Sequence, residues 1–526
     1  MSFLTFGNKN NAETPPLSQL AVVLLVSLLV PLMTHGLLPM LGVRFIADRF
    51  STQGVFFIFA LLAGFTFYSS YFLFITKRPV FMVVYSSVFV RLTFYIAALA
   101  HLVGKHIPVR SLHAPLLVLP GYYLGFIHFS ALWKTYSYFK YVVIFLCLFV
   151  FYYVFFNYNF VDPIVAKTSG VSISKGQLTD YIYASLGIII PGAMFIQAGS
   201  AENRIKLFNI INHTLLIGAI AEAVLSILGY PVGLFTMKVE GFRRTSGLME
   251  HPNAYGKIAG LFLIYFIGLY YYYVKNPDRK TALLDLLLQI AIASNLLAFL
   301  LTLSKNAFAG FFLACVIYLV SALFDNTLRQ KLILPLMILS GLVVVLLAGY
   351  QMVSEKDLMS LLTDRFNDTR SLEWRTRVWG YLLSNINKTS VWFGHGLSAC
   401  NMEMYRYQYN DAIASEKQSL YVHNALIQFL YDMGIVGLTI FASYLNAVLS
   451  SAQNFFKDNY NPLYLCIIGL SFFVLLGTLT DECITEFHMN FMYWFMVTMI
   501  ISFCSALSTK PAPSRIAQQN RRNEFN

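Results

Sequence analysis

A histidine opens an apolar helix in the stretch YVHNALIQFLYDMGIVGL, residues 421–438, where His423 and Asn424 precede a run of large apolar side chains. The partial positive charge of a helix N-terminus favours a neutral imidazole, which can accept a proton from an attacking hydroxyl. We therefore interpret His423 as a candidate general base, and Asn424 as a residue that orients the imidazole or the acceptor. The alternative is an interfacial histidine that only hydrogen-bonds a nearby carbonyl.

Cationic side chains gather in three other polar segments, and they are Arg243, Arg244, Lys305, Arg375 and Arg377. A guanidinium binds two phosphate oxygens at once, and the helix N-termini near residues 253 and 424 add N–H groups and positive potential. A diphosphate held by such groups becomes a better leaving group, because the developing charge is already compensated. Taken singly, each arginine is more simply explained by membrane topology or by contact with a lipid headgroup.

Carboxylates and cysteines show no comparable grouping. The loops that we predict on the outer side of the membrane contain no DxD motif. Asp481 and Glu482 are neighbours in the sequence and would point in different directions on a helix. The six cysteines are scattered and form no CxxC motif. The sequence therefore predicts no cofactor and no metal site.

The elements that must position these residues are membrane helices. The chain has 526 residues, of which 57% are hydrophobic and only 12% charged, whereas a soluble domain has about 25% charged residues. Its apolar runs have the length of about 20 residues that crosses a bilayer as helix, and the alternating pattern of a β-barrel is absent. The formal net charge is +12. Its Lys and Arg residues lie in loops between the predicted spans, where positive charge determines membrane topology. We therefore expect no binding of nucleic acid.

We predict an all-α polytopic fold with about fourteen spans, twelve at the least. Loops after the even-numbered spans are richer in Lys and Arg, which places both termini in the cytoplasm. The first run, residues 20–43, is too long for a signal-peptide core and is predicted to be retained. The predicted spans are 20–43, 53–76, 79–103, 112–131, 141–156, 181–198, 207–229, 253–274, 282–303, 306–325, 332–352, 421–450, 461–480 and 486–508.

This topology places three unusual segments on the outer side of the membrane: 229–253, 301–310 and the long loop 353–420. Within the long loop, residues 371–386 carry apolar side chains at helical spacing, with Arg375 and Trp379 on another face. This pattern predicts an amphipathic helix that lies on the membrane or caps a cavity. The predicted organisation is 1–19 cytoplasmic tail, 20–200 N-terminal helices, 201–450 functional core, 451–508 C-terminal helices and 509–526 cytoplasmic tail.

Four motifs in the core occur in a fixed order: RTSGLMEHPNAYG (244–256), LSKNAFAG (303–310), RTRVWGYLL with FGHGL (375–383 and 393–397), and HNALIQFLYDMGIVGL (423–438). Together they resemble the O-antigen ligase and polymerase superfamily of bacterial inner membranes. The last motif, HNxxIxxxxxxGxxG, is the most specific. The resemblance covers about residues 200–450, and the N-terminal half matches nothing specific.

The resemblance implies a metal-independent, membrane-embedded glycosyltransferase of the GT-C type. Such enzymes transfer a glycan from undecaprenyl diphosphate to a hydroxyl acceptor at the periplasmic face. By motif, Arg244 and Arg375 match diphosphate-binding positions and His423 matches the proposed base. Lys305 stands where many relatives have arginine and lacks the planar fork, and Asp432 stands where glutamate is common.

Three transferase activities compete within this resemblance. A polymerase extends the lipid-linked glycan, a ligase passes it to lipid A–core, and a protein O-oligosaccharyltransferase uses a serine or threonine. The fourteen predicted spans favour a polymerase, and the short polar tail after residue 508 disfavours the third activity. The predicted partners are the lipid-linked donor, a glycan or lipid A–core acceptor, membrane lipids and other polysaccharide-assembly proteins.

A transporter or flippase is the alternative from a different class of protein. Arg91, Glu222 and Lys257 are ionisable residues within predicted spans, as in many transporters. The chain has no visible internal repeat, which transporters often have, so this alternative is disfavoured.

Overall fold

A computed structural model describes residues 125–155, 173–323, 370–410, 422–459, 462–480 and 487–508, except for 127, 234, 240–241, 248, 250, 389 and 398. The predicted spans 20–43, 53–76, 79–103 and 332–352, most of 112–131, and both predicted tails lie outside these ranges. So do Arg91, Asp481 and Glu482.

The described residues are mostly helical, as the apolar runs predict. In chain order the helices are Phe129–Thr135 (α1), Phe139–Phe155 (α2), Ile173–Ala198 (α3), Ala201–Gly229 (α4), Pro252–Lys275 (α5), Ala282–Leu301 (α6), Lys305–Leu323 (α7), Arg370–Ser384 (α8), Ser390–Phe393 (α9), Ala399–Asn410 (α10), Ala425–Asn459 (α11), Leu463–Thr480 (α12) and Phe487–Ser508 (α13). An antiparallel hairpin, Thr236–Val239 (β1) and Phe242–Thr245 (β2), lies between α4 and α5.

Nine of the predicted spans coincide with helices, namely α2 to α7 and α11 to α13. Within the described ranges, five helices are long and apolar enough to cross a membrane, and the pair α1–α2, bent by 120°, makes a sixth candidate. The chain is therefore a helical membrane protein, while the number of fourteen spans and the GT-C architecture stay predictions.

Helices α5 and α7 run in the same direction. At their first turns, a Cβ on Gly256 would lie only 2.9 Å from the Cβ of Ser304. Further along both helices, the hydroxyl of Tyr318 donates a 3.0 Å hydrogen bond to the carbonyl of Ile264. The N-termini of α5 and α7 therefore lie at the same end of the bundle.

The opposite end of the bundle is fixed by an aromatic cluster around Phe503, near the end of α13. Its ring stacks on Phe208, in the second turn of α4, at 3.8 Å between centroids. The same ring contacts Tyr272, near the end of α5, edge to face at 5.6 Å. The start of α4 and the C-termini of α5 and α13 therefore meet.

The turn between α1 and α2 lies at the same end of the bundle as the start of α4. The hydroxyls of Tyr136 and Ser502 are 2.6 Å apart, and those of Ser137 and Ser451 are 2.7 Å apart. The second pair brings the later part of α11 to this end. Seven basic residues lie in the adjoining turns and helix ends, and we call this the basic end: Lys134, Lys140, Arg204, Lys206, Lys275, Arg279 and Lys280.

Helix α11 is broken at Gly434, where φ is 65° and ψ is −162°. A Cβ on Gly437 would lie 3.6 Å from the carbonyl oxygen of Phe429, although eight residues span about 12 Å in a straight helix. The segment 425–433 therefore folds back against the segment that follows. The predicted span over 421–450 is thus present as a helix that changes direction at Gly434, where a glycine allows this left-handed backbone.

Candidate active site

Arg244 connects three elements at the end of the bundle where α5 and α7 begin. It lies in β2 and is 1% exposed. Its Nε donates a 2.7 Å hydrogen bond to the carbonyl of Thr302, between α6 and α7, and a terminal nitrogen donates to Oδ1 of Asn253, in the first turn of α5. Both acceptors are neutral oxygens, and these two hydrogen bonds orient the guanidinium.

Arg243 points away from this junction, because successive side chains of a strand alternate between its two faces. Its side chain is exposed, and its carbonyl accepts a 3.0 Å hydrogen bond from the Tyr230 hydroxyl. The sequence predicted the two neighbouring arginines together, but the hairpin directs only Arg244 towards the start of α7.

Lys305 is the first residue of α7 and is half-buried. It follows a tight junction in which Leu303 has a φ of 50°, a left-handed conformation that is unfavourable for a residue with a Cβ. The hydrogen bond from Arg244 holds the Thr302 carbonyl at the start of this junction. Arg244 and Lys305 therefore lie at the same end of the bundle, and the hairpin holds the turn that precedes the lysine.

The predicted amphipathic helix is present as α8, and it places Arg375 and Arg377 on different faces. Val378 and Leu382 are fully buried, while Arg377 is exposed. Arg375 is half-buried and lies on the packed side of the helix. Trp379 was predicted on another face than the apolar residues, but it packs against the same cluster as Val378 and Leu382. Its indole N–H donates a 2.8 Å hydrogen bond to the carbonyl of Val422.

His423 lies in the turn that leads into α11 and has a φ of 53°. Its imidazole contacts the ring of Trp374 edge to face, with the centroids 6.3 Å apart. Around the axis of α8, Arg375 lies between Trp374 and Trp379, which both contact this turn. Two predicted residues, His423 and Arg375, therefore lie on elements that contact each other.

Asn424 caps the first turn of α11. Its Oδ1 accepts hydrogen bonds of 3.1 Å from the backbone N–H groups of Leu426 and Ile427. At the start of α5, His251 does the same through Nδ1, which accepts from Asn253 N at 3.1 Å. These N–H groups were expected to face the diphosphate, but the caps already use them. The positive potential of each helix end remains.

The break in α11 contacts the loop helices α8 to α10 through the segment around residues 392–396. The amides of His395 and Gly396 donate to the carbonyls of Tyr431 and Asp432 at 2.8 and 3.0 Å, which compensates acceptors next to the break. Backbone also meets backbone at Gly434, where a Cβ would lie 2.3 Å from the Trp392 carbonyl group. Such an approach leaves no space for a side chain.

Asp432 has a second contact with the loop. It is 2% exposed, and its Oδ1 accepts a 2.7 Å hydrogen bond from the amide of Cys400, in the first turn of α10. A carboxylate at a helix N-terminus is electrostatically favourable. The motif drew attention to Asp432, but no signal in the sequence identified Cys400 as its partner.

Two of the three ionisable residues that favoured a transporter lie inside the bundle. Glu222 in α4 and Lys257 in α5 are 5% and 4% exposed, and each interacts with other groups. In the part of the chain that the structure describes, no three His, Cys, Asp or Glu side chains come close enough to hold a metal ion. The metal independence of the reaction stays a prediction.

Comparison with known families identifies the segment that carries this site. Residues 290–442 match the family model described as O-antigen ligase. The match includes Lys305, α8, and the turn with His423, and it confirms the resemblance to the O-antigen ligase and polymerase superfamily. Members of this family are glycosyltransferase-like enzymes. A comparison with curated proteins found no match to the chain.

Proposed function

We propose that the chain is an inverting, metal-independent glycosyltransferase that moves a glycan from undecaprenyl diphosphate to a sugar hydroxyl, acting as a polymerase of O-antigen or another surface polysaccharide. The observation that carries the proposal is the turn at His423. There Trp374 of α8 contacts the imidazole, and Arg375 is the next residue of the same helix. The candidate base and a candidate diphosphate-binding cation thus lie on two elements that contact each other and that the family match includes.

In this proposal the cations bind the diphosphate of the donor. Arg244 and Arg375 supply planar forks, and Lys305 supplies a compact charge at the start of α7. Arg243 and Arg377 are more exposed and contribute to the approach of the anionic lipid. The positive potential at the starts of α5 and α7 adds to this attraction.

His423 then acts on the acceptor. Its neutral imidazole takes the proton of the acceptor hydroxyl while the hydroxyl oxygen attacks the anomeric carbon from the face opposite the diphosphate. The new glycosidic C–O bond forms as the bond to the diphosphate oxygen breaks, and undecaprenyl diphosphate leaves with the electron pair. One in-line displacement inverts the anomeric configuration.

The orientation in the bacterial inner membrane follows from the distribution of charge. The basic end carries seven Lys and Arg residues in short turns and helix ends, and we assign it to the cytoplasm. The starts of α5 and α7 then face the periplasm. Single cysteines at Asp278 and Lys388 test this orientation, with labelling by an impermeant maleimide in intact spheroplasts. We expect labelling at 388 only, and labelling at 278 alone would reverse the assignment.

Reconstitution in proteoliposomes with a purified lipid-linked repeat unit tests the activity. A ladder of longer lipid-linked glycans, with inverted anomeric linkage by NMR, is the expected result. Movement of intact donor across the bilayer without new glycosidic bonds would instead identify a flippase. Liposomes without the protein serve as the inactive control.

The second candidate is an O-antigen ligase, which the description of the matching family favours. The same proteoliposomes, supplied with lipid A–core and with a serine-containing peptide, distinguish the acceptors. Transfer to lipid A–core without elongation of the donor would establish the ligase. Transfer to the peptide would establish a protein O-oligosaccharyltransferase.

A further inference from the structure

Trp379 reaches across 43 residues of chain to the turn that precedes α11. Its indole Nε1–H donates a 2.8 Å hydrogen bond to the carbonyl of Val422, whose side chain is fully buried. An indole N–H is a donor only and is usually satisfied when buried. Here its acceptor is the residue directly before His423.

This carbonyl has a direct geometric relation to His423. The carbonyl of Val422 and the N–H of His423 belong to the same planar peptide unit. A hydrogen bond that fixes the direction of the carbonyl therefore fixes the plane from which the backbone of His423 departs. Together with φ and χ1 of His423, that plane sets the direction of the imidazole, which meets the Trp374 ring edge to face.

The backbone at His423 requires such support. Its φ of 53° lies in the left-handed region, where a residue with a Cβ is less stable than in the extended or right-handed helical regions. A conformation of this kind persists when surrounding contacts hold it. The hydrogen bond from Trp379 is one such contact from outside the turn, and the cap at Asn424 fixes the other side.

We propose that Trp379 is a positioning residue, which holds the peptide unit before His423 so that the imidazole stays in line with the acceptor hydroxyl. This inference rests on the proposed function of His423 as general base. It assigns to α8 a task beyond covering the site, because the helix that carries Arg375 also sets the direction of the base.

An interfacial anchor is the competing explanation for a tryptophan in a loop of a membrane protein. An anchor needs the amphipathic ring but no particular hydrogen-bond acceptor. The two explanations therefore differ in what happens when only the N–H is removed.

The experiment replaces Trp379 with β-(3-benzothienyl)alanine by amber suppression, which keeps the ring shape and substitutes sulfur for N–H. Trp379→Phe is a second variant. We expect kcat to fall on the order of ten- to a hundredfold, the effect of displacing a reacting group by about 1 Å, with the KM for the donor unchanged. The pH dependence of kcat should also change.

Trp392→Phe is the matched control, because its side chain is 58% exposed and lies in the same loop region. We expect it to retain wild-type kcat and pH dependence. If the benzothienyl variant also retained both, the positioning role would be wrong. Equal thermal unfolding midpoints in detergent exclude misfolding as the cause of any loss.

The failure of this inference differs from failure of the proposed function. If His423→Gln is inactive and the benzothienyl variant is fully active, only the role of Trp379 is overturned. If His423→Gln turns over normally, the base itself is wrong, whatever Trp379 does.

Discussion

The Nε of Arg244 donates a 2.7 Å hydrogen bond to the carbonyl of Thr302, three residues before Lys305. This contact joins a hairpin to the start of a membrane helix and buries the guanidinium almost completely. A buried arginine is costly to desolvate, and the hydrogen bonds to Thr302 and Asn253 offset part of this cost.

Arg244→Ala should abolish most activity, by about a hundredfold, because losing a charge-assisted contact to the departing diphosphate costs about 3 kcal/mol in the barrier. Arg243→Ala is the matched control on the exposed face of the same strand and should retain most activity. Turnover and donor affinity are measured on reconstituted protein. Full activity of Arg244→Ala would contradict a diphosphate site here.

Arg375 and Arg377 allow the same comparison on α8. Arg375→Ala should lose about two orders of magnitude in turnover, and Arg375→Lys should recover only part, because lysine keeps the charge without the fork. Arg377→Ala should have a small effect, since its side chain is exposed. Equal losses at both positions would show that the packed face of α8 has no special role. Treatment with EDTA should leave wild-type turnover unchanged.

The sequence predicted the apolar helices well, because a run of about 20 apolar residues has few alternatives in a membrane protein. It also predicted α8, where Val378 and Leu382 recur at helical spacing and are both fully buried. The break at Gly434 escaped the prediction, because apolar residues continue on both sides of it and hide the change in direction.

The candidate site was predictable as a set of residue types but not as a geometry. Neighbouring arginines in the sequence gave no sign that Arg244 is buried and Arg243 exposed, since this depends on the register of the hairpin. The partners Thr302 and Val422 contribute backbone carbonyls, which every residue has. Composition and spacing carry no information about such contacts.

Gly434→Ala and Gly394→Ala should each detach the loop helices from α11. A Cβ at either position would lie 2.3 Å from backbone atoms of the other element, and both glycines have positive φ. Loss of stability and faster cleavage of the 390–410 region by protease are the expected results. Limited proteolysis and thermal unfolding in detergent measure them.

Gly380→Ala is the control for these variants. It lies in α8, and a Cβ added there would have no neighbour within 4 Å among the described residues outside its own stretch of helix. Alanine is also the better helix former by up to about 1 kcal/mol. This variant should be as stable as wild type or slightly more so. If Gly434→Ala behaved like Gly380→Ala, the close backbone contact would be wrong.

The attachment of the loop should weaken in acid. Burial lowers the pKa of His395 from its ordinary value, against smaller opposing effects of Glu403 and of a backbone hydrogen bond at Asn385. Because the unfolded state binds the proton more readily, stability is highest above the ordinary pKa and is lost as the pH falls towards the folded-state pKa.

The thermal unfolding midpoint should therefore decrease from about pH 7.5 to about pH 5.5, and His395→Phe should reduce this decrease. Phenylalanine preserves an aromatic ring against Tyr431, on which the imidazole stacks at 4.4 Å, but cannot titrate. An identical pH dependence in wild type and His395→Phe would exclude His395 as the group responsible.

His423→Ala should reduce turnover by about 10²- to 10⁴-fold, the usual contribution of general acid–base catalysis, while donor binding stays largely intact. Asn424→Ala should reduce turnover less and lower stability by about 1 kcal/mol, because Oδ1 of Asn424 caps α11. Asn424→Asp keeps the cap and distinguishes the structural loss from a role towards substrate.

The decisive variant is His423→Gln, which keeps hydrogen-bonding groups but cannot accept a proton near neutral pH. If the imidazole only anchored the turn against Trp374, this variant would turn over almost normally. If it is the base, turnover falls as in His423→Ala and donor affinity is preserved. Lost donor affinity would instead make His423 a ligand of the substrate. Measuring both quantities on the same preparation separates these three roles, since each predicts a different pair of values.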